Sequence, residues 1–204
     1  MIKKAFTLAE VLIVIAVIGT VAALTIPNLS DSYKEDNTVV KLRKFQSEIK
    51  TAYQQANLKY GDAFENQDGA QKTESILEFL DKPIDGPTFP VLDLSSNRSF
   101  YVKELKDSSI IGINQVISDN IMNIYVATNG KNSSAVGKDV FQFGLNVVTG
   151  EVIPKGKPTD RGTNNALNLS SDNINGTNWA VSIGNLDYLK CASSLNWETK
   201  TSCN

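Results

Sequence analysis

No histidine occurs among the 204 residues, and there are only two cysteines. A Ser-His-Asp triad, a Cys-His pair and a histidine-based zinc site are therefore excluded, and two thiols cannot build a site of three or four thiolates. Excess positive charge is missing too. Twenty basic residues stand against 22 acidic ones, for a net charge of -2 and a pI near 5.3. No broad basic surface for nucleic acid is expected. An enzyme without histidine would need a carboxylate pair of the glycosidase kind, and no spacing singles out a pair among the 22 acids. The chain reads as a non-enzyme. What is present is a folding composition, 41% hydrophobic and 21% charged, long enough for one ordinary domain with an appendage.

The apolar residues are concentrated at one end. Val11 to Ile26 reads VLIVIAVIGTVAALTI without a charge, and extending back to Phe6 adds Glu10 as the only ionisable side chain. As a helix the stretch spans roughly 30 Å, the thickness of a bilayer core. The mean hydropathy of -0.17 thus averages a membrane segment with a soluble composition. A cleaved secretory signal would use Lys3 and Lys4 as its basic start and Ala22-Ala23 as a cut site, but the run is too long for one. A plain signal anchor, with both lysines on the cytoplasmic side, explains everything except Glu10. A carboxylate at the bilayer centre costs about 2.5–3.5 kcal/mol, and less near the interface. With no cationic side chain between Phe6 and Lys34, its expected partner is the chain terminus, Lys3, Lys4 or another molecule.

Lys3-Lys4-Ala5-Phe6-Thr7-Leu8-Ala9-Glu10 and the apolar run after it resemble the N-terminal processing motif of type IV pilins and type II secretion pseudopilins. The resemblance implies that a prepilin peptidase cuts between Ala5 and Phe6 and methylates the new amine of Phe6. Ala5 stands where the family usually has glycine. Residues 1–5 would be the leader, 6–60 a rod helix with 6–27 as its transmembrane and assembly part, and 61–204 the head. Removal of the leader leaves 18 basic residues against 22 acidic ones. Glu10 is then the assembly residue, positioned to meet the terminal amine of a neighbouring subunit. Gly19 and Pro27 fall where pilin-like helices loosen or kink, although Pro27 equally marks a membrane exit. The implied partners are the peptidase, other pilin-like subunits, an inner-membrane assembly platform and, before assembly, lipid. The implied location is the inner membrane, single-pass, with the head outside the cytoplasm, and then a filament in the periplasm or at the cell surface. The implied role is a structural subunit of a type II secretion pseudopilus or a type IV pilus. The alternative is a membrane-anchored binding protein that does not polymerise or sits at a tip, such as a minor pilin, an adhesin or a DNA-uptake receptor.

The rest of the chain predicts an α+β head. Leu42, Phe45, Ile49, Ala52 and Ala56 recur at helical spacing in an amphipathic helix from about Ser30 to Tyr60, stopped by Gly61. The basic cluster Lys41–Lys44 reads as a solvated face. A loop is expected from Asp62 to Gln71, a short helix at Glu74–Leu80, and an irregular stretch through Pro83, Pro87 and Pro90. Strands are expected near Ser99–Leu105, Ile110–Ile113, Ile121–Thr128, Val140–Val148 and Glu151–Ile153, with turns at Asn129-Gly130 and Thr149-Gly150. They would form a small antiparallel sheet with one buried face, packed on the amphipathic half of the long helix. Asn164–Asn178 is Asn- and Ser-rich. Some pseudopilins carry a calcium loop, and Asp172, Asn173 and Asn175 are its oxygen candidates here. Their spacing is not that of an EF-hand, and such loops are ordinarily turns, so no cofactor or metal is expected. Outside the inner membrane, Cys191 and Cys203 would form a disulfide closing a small C-terminal loop, as in many type IV pilins. Trp197 inside that loop is expected to pack on the sheet.

Overall fold

The computed structural model describes residues 7–80, 84–85, 89, 100–156 and 176–203, leaving aside the side chains of residues 26–32 and 84–85. Ala5 and Phe6, the three prolines at 83, 87 and 90, and Asp172, Asn173 and Asn175 lie outside these. The chain divides into two compact units, Met1–Asn37 and Thr38–Asn204.

Helix α1 (Leu8–Tyr60) is assigned without a break through Gly19 and Pro27. Glu10 in its first turn and Lys59 in its last complement the helix dipole. Gly61 ends it at φ +52°, a conformation that favours glycine, and the Gly61 amide donates to the Asn57 carbonyl (2.8 Å). Within the second unit one stripe of α1 builds the core. Val39, Leu42, Phe45, Ile49, Ala52 and Ala56 are no more than 4% exposed. The 3.6-residue periodicity places these positions on one face, as the sequence predicts.

The segment after α1 is more helical than expected. In place of a loop, α2 (Asp62–Glu65) and α3 (Gly69–Leu77) follow directly. The cause is a capping box. Asp68 Oδ1 accepts from the Gln71 amide (2.9 Å) and Gln71 Oε1 accepts from the Asp68 amide (3.2 Å). The helix therefore starts five residues before Glu74 and ends before Leu80. Lys72 is buried on α3, where its ammonium donates to the carbonyls of Phe64 (2.5 Å), Glu65 (2.9 Å) and Gln67 (2.9 Å). It thereby satisfies acceptors left at the end of α2. Burial lowers its pKa.

The sheet is an antiparallel meander of six strands in sequence order. They are β1 (Ile84–Asp85), β2 (Phe100–Glu104), β3 (Ile110–Ser118), β4 (Ile121–Ala127), β5 (Val140–Asn146) and β6 (Val152–Pro154). Strand β3 runs five residues beyond the expected one, past an irregularity between Ile113 and Ile117. One face carries Ile111, Ile113, Met122, Ile124, Val126, Phe141, Phe143 and Leu145 into the main core with α1. Phe45 meets Phe143 at 5.5 Å between ring centroids. The opposite face is not simply solvated. Ile110, Ala127 and Val140 join Phe89 in a second, smaller cluster. Gln142 is buried there too, with its amide donating to Thr177 Oγ1 (3.0 Å) and its Nε2 to Asn123 Oδ1 (2.9 Å). The expectation of a single buried face is corrected, because Phe89 and Val136 pack against this side, while α4 (Gly176–Ser182) places Trp179 and Ala180 in the main core. Asn178, expected in a polar loop, is part of that helix. A last short helix, α5 (Tyr188–Cys191), precedes the C-terminal loop.

Candidate functional site

The N-terminal half of α1 is the first feature to weigh. Leu8–Thr25 is long and apolar enough to cross a membrane, with a mean hydropathy of 2.4 over 18 residues and none of it buried inside the protein. Length and composition of this kind fit a membrane anchor or a signal sequence. A methyl group built onto Gly19 would touch nothing within 4 Å, so no packing among the described residues requires glycine there.

Glu10 has a partner that the sequence reading missed. The Thr7 amide and Thr7 Oγ1 both donate to Glu10 Oε2, at 2.8 and 2.9 Å, and the Glu10 amide donates back to Thr7 Oγ1 (3.3 Å). This is a capping box at the head of α1. The signal was in the sequence as Thr-x-x-Glu directly before an apolar run. The carboxylate thus has local neutral donors; the terminus, Lys3 and Lys4, named as its cationic partners by the sequence, lie outside the described residues. Thr20 Oγ1 donates to the Val17 carbonyl (2.9 Å) and Thr25 Oγ1 to the Val21 carbonyl (3.0 Å). The hydroxyls of the segment are thus satisfied inside the helix, as a span in lipid requires.

The basic cluster of α1 is solvated in part, with Arg43 and Lys44 exposed, but it also makes tertiary bonds. Lys41 Nζ donates to the Thr128 carbonyl (2.9 Å) and Arg43 Nε to the Val181 carbonyl (2.9 Å), while Lys44 pairs with Glu48 at 3.4 Å. Two of the three cations fasten the helix to the end of β4 and to α4. Gln46 Nε2 donates to the Val152 carbonyl (2.8 Å) and Tyr53 OH to the Val147 carbonyl (2.9 Å), which adds β6 and the turn after β5. Four side chains of α1 thus end on main-chain acceptors of the sheet and of α4.

Cys191 and Cys203 form a disulfide with Cα atoms 5.8 Å apart. The loop that they close is also held by the residues just before it. The Cys203 amide donates to Asp187 Oδ2 (2.9 Å), and Asn185 Nδ2 donates to the Thr201 carbonyl (2.8 Å). Trp197 packs against the main core. Its ring stands edge-on to Trp179 of α4, 4.8 Å between centroids. Trp179 is fully buried, and its indole N–H donates to Asn185 Oδ1 (2.8 Å). Tyr188 OH donates to the Gly137 carbonyl, and burial raises the phenol pKa strongly.

Among the described residues no group of three or more His, Cys, Asp or Glu side chains is placed to hold a metal ion. Compared with family models, curated proteins and solved structures, the chain finds no match in any of the three.

Proposed function

We propose that the chain is a pilin-like structural subunit, anchored by its N-terminal helix and assembled through it into a filament of the type II secretion pseudopilus or type IV pilus kind. A peptidase of the prepilin class would remove residues 1–5 and methylate Phe6. The head would then stand outside the cytoplasm. One observation carries the reading. An 18-residue apolar helical stretch, none of it buried among the described residues, holds a single carboxylate in its first turn. Glu10 Oε2 is occupied by Thr7, and Oε1 has no partner among the described residues. That oxygen is what a neighbour's amine would meet.

Mass spectrometry of the mature N-terminus tests this directly. The expected product begins at N-methylated Phe6. A retained Met1, or a cut after Ala23, would refute the processing chemistry and with it the family reading.

A further inference from the structure

Within the unit Thr38–Asn204, charge is sorted between the two ends of the sheet. At one end lie the turns after β3 and after β5, together with α2 and α3, where Gly69 lies against the Gln115 backbone and Thr73 against Met122 Sδ. Asp62, Glu65, Asp68, Glu74 and Glu78 are exposed there. Asp119 and Glu151, at the two turns, are exposed as well. Among the described residues the cations at this end are spent. Lys59 donates to Glu78 at 2.5 Å, and Lys72 is buried on three carbonyls. Between α2 and α3 runs an open groove of about 530 Å³, lined by Tyr60, Asn66, Gln71, Glu74 and Glu78 among others.

The other end carries the loop from β4 to β5 and the first turns of α1 in this unit, joined by the bond from Lys41 to Thr128. Lys131 and Lys138 project from the loop, exposed and without an ion-pair partner among the described residues. The acid next to Lys138 is withdrawn, because Asp139 is buried and its carboxylate accepts from Ser134 and Ala135. Lys103, Glu104, Lys106 and Asp107 of the neighbouring β2–β3 turn balance each other in sign. Eighteen residues of α1 separate Lys41 from Lys59, about 27 Å, several times the physiological screening length of about 8 Å. The two ends therefore do not cancel within one chain.

We propose that the acidic α2–α3 end of one copy docks on the Lys131/Lys138 loop of a second copy, in a head-to-tail contact that repeats along a filament. The inference rests on the filament reading above. A two-fold arrangement through either end would set like charges against each other, whereas the head-to-tail one sets unlike charges together and does not close. Growth by strand addition at β6 is blunted. Glu151 and Lys155 bond to β5, which turns the outward edge over to Val152 and Pro154. The Val152 carbonyl there already accepts from Gln46, and Pro154 has no N–H.

The test uses two differently tagged full-length chains expressed together in their membrane, one carrying Glu74→Cys and the other Lys138→Cys, treated with a short bismaleimide. The expected result is a mixed-tag dimer at least about fivefold over either same-tag dimer, weakened severalfold by high salt. Glu65→Cys with Lys131→Cys is a second pair, so that loss of folding in one variant does not decide the matter. Ile13→Cys in both chains reports assembly through the apolar helix. Same-tag dimers in excess overturn the proposal. So does absence of the mixed dimer while the Ile13→Cys link forms, the outcome expected if the lysine loop rests on an anionic lipid surface. Loss of both links overturns this proposal and the filament reading together.

Discussion

Deleting the first 37 residues should leave a soluble, cooperatively folding protein, and deleting the first 60 should not. The distinction follows from where α1 places its side chains. Residues 38–60 carry five large side chains of the main core, Val39, Leu42, Phe45, Ile49 and Tyr53, each at most 5% exposed. At about 1.5–3 kcal/mol per buried side chain these amount to roughly 8–15 kcal/mol, an upper estimate because unfolded chains already hide part of their apolar surface. The whole stability of a domain is about 5–15 kcal/mol. Removing this stretch also strands the four acceptors of Lys41, Arg43, Gln46 and Tyr53 and opens the floor of the sheet beneath Phe143. The assay is thermal unfolding of the fragments Thr38–Asn204 and Gly61–Asn204, each oxidised, followed by near-ultraviolet circular dichroism of Trp179 and Trp197. The longer fragment should melt in one sharp transition and the shorter show none. A cooperative melt of the Gly61–Asn204 fragment within about 2 kcal/mol of the longer one would refute the reasoning, because α1 would then be a covering and not a wall of the core.

Gly69→Ala sets two effects of opposite sign against each other. Alanine favours the helix by about 1 kcal/mol, but its Cβ would fall 1.7 Å from the Gln115 carbonyl oxygen, a backbone atom, so a net loss of about 2–3 kcal/mol is expected in denaturant unfolding. Tyr188→Phe should cost about 1–2 kcal/mol at neutral pH by stranding the buried Gly137 carbonyl. Because burial raises the Tyr188 pKa above its unfolded value, the tyrosine's contribution is complete below about pH 10 and is lost as pH rises past it. Wild type should therefore lose stability at alkaline pH more steeply than Tyr188→Phe, and parallel curves would contradict the assignment. In the membrane, Glu10→Ala should abolish cross-linking between Ile13→Cys copies, while Thr7→Ala, which keeps the carboxylate, should retain most of it. Equal losses would make Glu10 a capping residue only.

What the sequence disclosed and what it hid divide along the range of the interaction. The buried stripe of α1 was legible because Leu42, Phe45, Ile49, Ala52 and Ala56 repeat with the helix. The inward face of β5 was legible because Phe141, Phe143 and Leu145 alternate. Both capping boxes were legible in principle, Thr7 with Glu10 and Asp68 with Gln71. The first passed as a charge in lipid and the second as loop composition, since each residue was weighed alone and not with its partner three positions on. Lys41 and Arg43 could not be read as fasteners at all. Their acceptors lie 87 and 138 residues away, and nothing in a run of basic residues distinguishes a solvated cation from one that ends on a carbonyl. Trp179 was hidden by its surroundings, because an Asn-rich stretch suggested a loop where the chain instead inserts a fully buried indole.

The capped Glu10 changes what a carboxylate at that depth means. An unpartnered charge would impose its insertion cost on every free subunit. With two donors from Thr7, the cost falls before any neighbour arrives, so the residue is tolerable in an isolated anchor. On the filament reading proposed above, that weakens Glu10 as evidence of assembly, yet it would make assembly easier to time. A group fully stranded in lipid would seize any cation, whereas a group half satisfied, with Oε1 unpartnered among the described residues, discriminates in favour of a donor held in register by a parallel helix. A helix cap alone asks only for an oxygen acceptor at this position. Glutamine there would keep the bonds from Thr7 at no cost in charge. A negative charge is required only if something positive is to meet it, and the apolar stretch from Leu8 to Thr25 brings no cation of its own.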